Sequence, residues 1–432
     1  MPKNIAKSLF LNKVLIGAVF LFPLIIVLRS AAINIVSIVI SIIALFFILK
    51  KKETDFFKNK LVNYLVLFFA FIFVNSLIHY QSFDLLIKSL GNFRYLLLSA
   101  GVFLFMDKAS DKEKFLFIYF NLALIAFISL DIIYQYFFYR DIFGFVPGMC
   151  AENFGFLAKC QRFSGVFGNE LIAGAYLSQI GILILVLLKN SDSDKTYFSL
   201  TVKNILFLLG FIILIITGER NATLIFLLFL FFNFLFQKKL LKLLILFFFM
   251  ILILFTLTKY SDSTNVRFKK IFTDMSGLEN PSLIEKIDKS PWGNHYHAAF
   301  ELFLEQPILG HGPKSFRIKC KKTKIEQQLL NNKSAYLSCA THPHNYLLEF
   351  LSEHGIVGGM FFIGLILLVI LNIYKIKKND DKNVFFTSVS LGCLILAVLF
   401  PFKPSGSFFS TFNASMLFYI FGFFLHYSKK IK

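Results

Sequence analysis

The chain has 432 residues, of which 57% are hydrophobic and 59 are Phe, and its formal net charge is +20. A water-soluble protein cannot hide so much apolar side chain, so lipid must be part of the surroundings of this protein. The positive charge does not indicate a nucleic-acid partner, because the lysines lie in short clusters between apolar runs, where they set membrane topology.

About twelve apolar runs are long enough to cross a bilayer as helices. They cover residues 9–28, 31–49, 61–78, 92–106, 115–138, 171–188, 200–217, 222–236, 240–258, 356–374, 384–400 and 412–427. The second run follows the first within a few residues, and no small-residue cleavage site lies between them. We therefore expect the first helix to remain in the protein.

The distribution of lysine predicts the orientation of these helices. Clusters such as Lys50, Lys51 and Lys52 alternate with loops that hold few basic residues. Those poorer loops contain Arg29, Lys88, Arg94, Arg140, Lys159, Arg162, Arg220 and Lys403. The bias of roughly three to one places both termini in the cytoplasm and the poorer loops outside it.

Three outer segments stand out: residues 139–170, the turn 218–221, and a long loop from 259 to about 355. Loops of such length without a domain of their own are uncommon unless they are functional. We therefore divide the chain into residues 1–258, which hold nine helices and the first outer loop, the long loop 259–355, and three final helices in 356–432. Function is expected in the outer segments.

The long loop contains signals for two short helices. Asn294 is a suitable cap for a helix that runs to Glu305 and stops before Pro307. A second helix is predicted to begin at residues 341–343, with Pro343 in its first turn, where the missing N–H costs nothing. The apolar face of this helix is expected to hold Leu347, Leu348 and Leu351. Glu349 and Glu353 are expected on the opposite face.

One motif lies at the end of the long loop, where His344-Asn345 is followed after nine residues by Gly355-x-x-Gly358. The stretch reads HNYLLEFLSEHGIVG. It resembles the signature of the O-antigen ligase and O-antigen polymerase superfamily. These are bacterial membrane glycosyltransferases that use sugars linked to undecaprenyl diphosphate, and in that family too the motif follows a large outer loop.

Three further stretches are similar to motifs of the same superfamily. Residues 162–169, RFSGVFGN, resemble its R-x-x-G-x-F-x-x-x-N/E pattern at the start of a membrane helix. Residues 217–220, TGER, resemble its T-x-S-R turn, although Glu219 stands where a small residue is often found. Residues 305–312, EQPILGHG, resemble its P-L-x-G-x-G stretch, so the resemblance extends from about residue 160 to 360.

The resemblance implies an all-α, GT-C-like membrane protein of about twelve transmembrane helices, with a large periplasmic loop between helices 9 and 10. It also implies transfer of a glycan from undecaprenyl diphosphate to a lipid A core sugar, on the periplasmic side of the inner membrane. The expected enzyme is an O-antigen ligase. An O-antigen polymerase or a protein O-oligosaccharyltransferase are the alternatives, because the motif does not separate them.

A transporter of lipid-linked glycans is an alternative of another class. Such a protein needs charged residues buried at mid-membrane and often has repeated halves. Asp131 is the acidic candidate within a span, and neither half of the chain repeats the other. The sequence therefore favours an enzyme.

Glycan transfer requires that the leaving diphosphate be stabilised and that the acceptor hydroxyl be deprotonated or oriented. An arginine side chain can hold diphosphate oxygens bidentately and stays charged. Arg162 and Arg220 match motif arginines on the side of the membrane where arginine is rare, so we expect both to bind the diphosphate. Arg267 and Arg317 in the long loop are possible further contacts.

His344 is the predicted catalytic residue. In the first turn of a helix, the helix dipole favours a neutral imidazole that can accept a proton. Asn345 is expected to support the local geometry, and Gly355 and Gly358 the turn into the next helix. The alternative is a surface histidine that only caps or packs.

The outer loops also contain two His-x-His pairs, formed by His295 with His297 and His342 with His344. Such pairs suggest zinc, but both are predicted at helix starts, where alternate side chains diverge. We therefore expect neither a metal ion nor another cofactor.

Four of the five cysteines are expected outside the cytoplasm, as Cys150 with Cys160 and Cys320 with Cys339. Each pair is close in sequence, and an oxidising compartment favours two local disulfides. Free thiols are the alternative.

Overall fold

The computed structural model describes residues 3–148, 161–189, 199–269, 291–331, 338–376 and 382–429. Within these residues the protein is helical and has no β-strand, only an isolated antiparallel bridge between Gly148 and Arg162. The predicted all-α fold is confirmed.

Ten helices of the described residues precede the long loop. They are α1 (Lys3–Val27), α2 (Arg29–Lys51), α3 (Lys60–Ile78), α4 (Phe83–Gly91), α5 (Phe93–Lys108), α6 (Asp111–Phe138), α7 (Ala173–Lys189), α8 (Leu200–Ile216), α9 (Arg220–Phe236) and α10 (Leu240–Tyr260). Six more follow: α11 (Pro291–Glu305), α12 (Phe316–Lys319), α13 (Lys324–Asn331), α14 (Tyr346–Lys375), α15 (Lys382–Leu399) and α16 (Thr411–Lys429).

Eight helices of the described residues are long and apolar enough to cross a membrane. They are Ser8–Val27, Arg29–Lys51, Lys60–Ile78, Phe83–Lys108, Asp111–Phe138, Leu240–Tyr260, Tyr346–Lys375 and Lys382–Leu399, and the fourth of these segments is formed by α4 and α5 together. Three shorter apolar helices also occupy predicted runs, namely Ala173–Lys189, Thr201–Ile216 and Arg220–Phe236. The chain is a multi-pass membrane protein, and the number of about twelve spans stays a prediction.

Helix α16 occupies the last predicted run and is buried in the bundle, where it packs on α5 and α15. The hydroxyl of Ser99 in α5 donates to the carbonyl of Phe418 at 2.6 Å. The hydroxyl of Tyr419 donates to the carbonyl of Val19 in α1 at 2.8 Å. Polar groups of α16 therefore bond to neighbouring helices, a common arrangement inside membrane bundles.

Helix α14 is bent at Gly355, whose φ of 64° and ψ of −162° are not helical. A side chain at this position would be strained and would meet the carbonyl of Ile308. The bend brings α14 against residues 307–312, and the amide of Ile356 donates to the carbonyl of Pro307 at 2.7 Å. Two of the sequence motifs therefore form one backbone unit.

Phenylalanine side chains hold the first half of α14 in place. The ring of Phe350 lies 5.4 Å from that of Phe68 in α3, 5.3 Å from Phe362 and 5.1 Å from Phe408, measured between centroids. Aromatic pairs at such distances add to the stabilisation from buried area. They fix the direction of α14 and hence the position of the residues that precede it.

Candidate functional site

Three arginine side chains, those of Arg162, Arg220 and Arg267, meet at one end of the bundle, and we call them the arginine cluster. The Nε of Arg220 donates to the carbonyl of Arg267 at 2.6 Å, and the Nε of Arg267 donates to the carbonyl of Gly218 at 3.0 Å. Burial, followed by the charges of Arg220 and Arg162, lowers the pKa of Arg267 to about 10. A guanidinium with a pKa of about 10 is still charged at neutral pH, so Arg267 keeps its positive charge.

The carboxylate of Glu219 lies within the arginine cluster. It accepts hydrogen bonds from the amides of Gly174 at 2.9 Å and Ala175 at 3.3 Å. These amides lie in the first turn of α7, where no carbonyl of the helix can accept from them. Arg162 lies 3.6 Å from this carboxylate and donates to the carbonyl of Leu171 at 2.7 Å. Burial raises the pKa of Glu219, and Arg162 opposes that effect. Even with Glu219 ionised, the cluster keeps an excess of positive charge.

Two contacts orient the guanidinium of Arg220. Its Cζ lies 5.8 Å from the ring centroid of Trp292, and its Nε is bonded to the carbonyl of Arg267. The two terminal nitrogens have no hydrogen-bond partner among the described residues. They form the fork that binds phosphate or carboxylate oxygens in pairs.

Three histidine rings, those of His295, His342 and His344, meet near the start of α14, and we call them the histidine cluster. The ring centroid of His344 lies 4.2 Å from that of His342 and 5.1 Å from that of His295. The expectation that the rings of His342 and His344 diverge is wrong, because both residues precede the helix. Burial, followed by neighbouring imidazoles, lowers the pKa of both to about 4.

His344 lies before α14 and not in its first turn, so the predicted helix start at residues 341–343 is wrong. The N-cap is Asn345, whose Oδ1 accepts the amide of Leu348 at 3.0 Å. His344 has a φ of 57°, and its carbonyl accepts the amide of Ser405 at 2.8 Å. Burial, and not the helix dipole, is the main cause of the lowered pKa of His344, and its role as a base stays a prediction.

Asn345 ties the start of α14 to the loop between α15 and α16. Its Nδ2 donates to the carbonyls of Pro401 at 2.7 Å and Lys403 at 3.2 Å. Lys403 itself is buried, with its Nζ 5.1 Å from the ring centroid of Tyr346, and burial lowers its pKa to about 7. From the sequence, Lys403 is expected only as an outer charge. Its position in a loop that holds few basic residues is the signal that could have singled it out.

Helix α11 connects the two clusters. Trp292 contacts Arg220, and His295 contacts His344. Because Trp292 and His295 are three residues apart in a helix, they lie on one face. The Nδ1 of His295 donates to the carbonyl of Ser338 at 2.8 Å, which fixes the ring. Residues from separate motifs of the sequence are thereby brought to one site.

The acidic residues of α14 face inwards, which corrects the expected exposed acidic face. The carboxylate of Glu349 accepts the amide of Phe408 at 2.9 Å, and that of Glu353 accepts the amides of Lys314 at 2.7 Å and Phe316 at 3.3 Å. Both carboxylates are buried. Buried backbone amides need acceptors, and these carboxylates supply them for two loops that approach α14.

The other predicted site residues lie outside the arginine and histidine clusters. Arg317 is exposed, and its charge contributes to the lowered pKa of His342. Gly358 lies one turn after the bend at Gly355, where a Cβ would meet the Cβ of His354. The glycine pair therefore shapes the bend and makes no side-chain contribution to the site.

Cys320 and Cys339 form a disulfide with a Cα–Cα distance of 5.1 Å, which confirms one predicted pair. The other, Cys150 with Cys160, lies outside the described residues. Cys339 follows Ser338 directly, so the disulfide steadies the segment that orients the histidine cluster.

Two further expectations concern metal ions and transport. In the part of the chain that the structure describes, no three His, Cys, Asp or Glu side chains are placed to hold a metal ion. Asp131 is buried in α6, and its Oδ1 accepts the amide of Ile142 at 2.9 Å. It therefore supports the loop after α6.

The fold and the two clusters define a multi-pass membrane protein in which helix α11 joins a cluster of arginines to a cluster of histidine rings. Residues 205–363 match the family model described as O-Antigen ligase, whose members are glycosyltransferase-like enzymes. Over this segment, the match confirms the predicted resemblance to the O-antigen ligase and polymerase superfamily. The segment includes Arg220, Arg267 and the His344 motif, whereas Arg162 precedes it. No curated protein matches the chain.

Proposed function

We propose that the protein is an O-antigen ligase of the bacterial inner membrane. It moves a glycan from undecaprenyl diphosphate to a lipid A core sugar on the periplasmic side. The observation that carries the proposal is the connection, through α11, between the guanidinium of Arg220, whose terminal nitrogens have no partner among the described residues, and the ring of His344. A leaving diphosphate requires the first group, and an acceptor hydroxyl requires the second.

In the proposed reaction, the acceptor hydroxyl oxygen forms a bond to the anomeric carbon of the first donor sugar. The bond from that carbon to the phosphate oxygen breaks, and undecaprenyl diphosphate leaves with the electron pair. Arg220 and Arg162 bind the diphosphate, and Arg267 adds positive charge. His344 accepts the proton of the hydroxyl. Guanidinium groups supply the counter-charge, so the proposed reaction uses neither a metal ion nor another cofactor.

The choice of a ligase over a polymerase rests on the size of the long loop and on the histidine motif just before the tenth predicted span. Lipopolysaccharide from a strain that lacks the gene tests this choice. A ligase defect leaves the core free of polymer while lipid-linked polymer accumulates. Core that carries a single repeat would instead identify a polymerase. Intact lipopolysaccharide with unglycosylated protein would identify a protein O-oligosaccharyltransferase.

Purified protein with a lipid-linked donor and a lipid A core acceptor tests the chemistry directly. We expect transfer that EDTA leaves unchanged, because arginines neutralise the leaving group. Abolition by the chelator with rescue by zinc would overturn the metal-independent mechanism. Absence of transfer, with movement of the donor across vesicles, would point to the transporter alternative.

A further inference from the structure

A cavity lies at the end of the bundle that is opposite the arginine cluster. Its volume is about 610 Å³, within the range of about 300–1,000 Å³ that ligand sites occupy. Helices α7, α8, α9, α10 and α15 line it. Helix α9 begins at Arg220 and reaches the cavity in its second half; its 17 residues span about 25 Å.

Three lysines lie at one end of this cavity: Lys189, Lys239 and Lys242. The charges of Lys239 and Lys242 act on Lys189, so the three repel one another. Lys189 lies 5.2 Å from the ring centroid of Phe207, and Lys239 lies 4.7 Å from that of Phe386. No acidic residue is among those that line the cavity in the described part of the chain. This end of the cavity is therefore complementary to an anion.

Neutral polar groups extend from the lysines into the cavity. The Nζ of Lys239 donates to Gln237 at 3.0 Å, and the amide of Gln237 donates to Asn233 at 2.8 Å. The hydroxyl of Ser390 also donates to Asn233, at 2.9 Å. Such groups suit the ester region that joins a phosphate to acyl chains.

The rest of the cavity is apolar and opens towards lipid. Its walls include Phe226, Phe229, Leu230, Leu246 and Met250. Ile245 and Phe249 of α10 also line it, although 50% and 51% of their surface is exposed. An acyl chain can therefore enter this part of the cavity sideways from the bilayer. A soluble phosphate compound has no acyl chain to fill it.

We propose that this cavity binds an anionic glycerophospholipid from the leaflet at the lysine end of the bundle. The phosphate lies among Lys189, Lys239 and Lys242, the ester groups lie beside Gln237 and Asn233, and an acyl chain fills the phenylalanine-lined part. Basic pockets between transmembrane helices bind anionic head groups in this way. The proposal does not depend on the glycan acceptor or on the chemistry at His344.

Native mass spectrometry of the full-length protein in detergent tests the proposal. The probes are phosphatidylglycerol and phosphatidylcholine with identical acyl chains. We expect phosphatidylglycerol to bind about 100-fold more tightly at low salt, since each lysine contributes about fivefold. Added salt weakens this preference by screening. Glycerol 3-phosphate should not displace the lipid, because it lacks the acyl chain.

The combined variant Lys189→Gln, Lys239→Gln and Lys242→Gln should bind both lipids equally weakly. Lys50→Gln, Lys51→Gln and Lys52→Gln, three exposed lysines outside the cavity, form the matched control and should keep the preference.

A second pair of variants tests the apolar part. Ile245→Trp narrows the cavity and should weaken binding of phosphatidylglycerol, whereas Leu241→Trp, which is 72% exposed and does not line the cavity, should not. Equal affinity of the wild type for the two lipids would overturn the proposal. So would an equal loss in the control lysine variant, or displacement of the lipid by glycerol 3-phosphate.

Discussion

At the scale of single residues, the site depends on how each charged group is held. The Nε of Arg220 donates to the carbonyl of Arg267, and its guanidinium lies over the ring of Trp292. Among the described residues, no group occupies the two terminal nitrogens, so both can bind a ligand. A lysine at this position keeps the charge but presents a single point donor.

We therefore expect Arg220→Lys to lower kcat/KM for glycan transfer by about 100-fold, the usual cost of one donor to developing charge. Transfer by purified protein with a lipid-linked donor measures this. Arg140→Lys is the control, because Arg140 is exposed and has no part in the arginine cluster. Near wild-type transfer by Arg220→Lys would mean that Arg220 does not bind the diphosphate and only contacts lipid head groups at the helix end.

His344→Ala should fold and insert but transfer no glycan. The backbone turn at His344, with a φ of 57°, positions this ring alone, so His295 and His342 should not replace it. His297→Ala is the control, since His297 is exposed on α11. His354 is unsuitable for that purpose, because its buried ring bonds to the side chain of Asn75 at 2.9 Å. Measurable transfer by His344→Ala, or equal loss in His297→Ala, would contradict the assignment.

The lowered pKa of His344 predicts the pH dependence of both rate and stability. A ring with a pKa of about 4 is already neutral at neutral pH, so kcat/KM should be flat down to pH 5.5 and fall as the base is protonated near pH 4. An unfolded imidazole binds a proton below its ordinary pKa of 6.5, whereas the folded ring does not until about 4. Stability should therefore fall as the pH drops through this window. A pH–rate profile with its acid limb near 6.5 would contradict the buried, neutral ring.

At the scale of elements, the bend in α14 decides where the histidine motif lies. Gly355→Ala places a Cβ at a φ of 64° and against the carbonyl of Ile308. This combination of φ and ψ is essentially restricted to glycine and costs another residue about 1–3 kcal/mol, and the backbone contact adds to that cost. We expect a lower unfolding temperature and reduced transfer, measured by circular dichroism and by the transfer assay.

Gly17→Ala in α1 is the matched control, since nothing lies within 4 Å of a Cβ built there. Alanine is favoured over glycine inside a helix by about 0.5–1 kcal/mol, so this variant should be at least as stable as the wild type. If Gly355→Ala unfolds at the same temperature as Gly17→Ala, the bend is not a constraint on the fold.

At the scale of the whole molecule, the lysine distribution predicts that both termini face the cytoplasm and that the arginine and histidine clusters face the periplasm. A phosphatase fused after Lys432, which is active only in the periplasm, should therefore be inactive. The same reporter fused after Arg140 should be active. The opposite pattern would overturn the orientation and the periplasmic site with it.

The sequence alone predicted the apolar helices and singled out residues that the structure brings together, while the roles of those residues stay predictions. In lipid the backbone must satisfy its own hydrogen bonds, so each long apolar run forms a helix whatever its neighbours are. The motifs singled out Arg220 and His344, because these are the residue types that the proposed reaction requires for a leaving diphosphate and an acceptor hydroxyl. Both requirements are local and can be read from short stretches.

Only the tertiary structure decided which distant groups meet. Arg267 joins Arg220 because its Nε finds the carbonyl of Gly218, 49 residues away. Glu349 is buried because a loop from another part of the chain presents an amide that needs an acceptor. Such pairings depend on how helices pack, and hydropathy and motif spacing carry no information about partners so far apart in sequence.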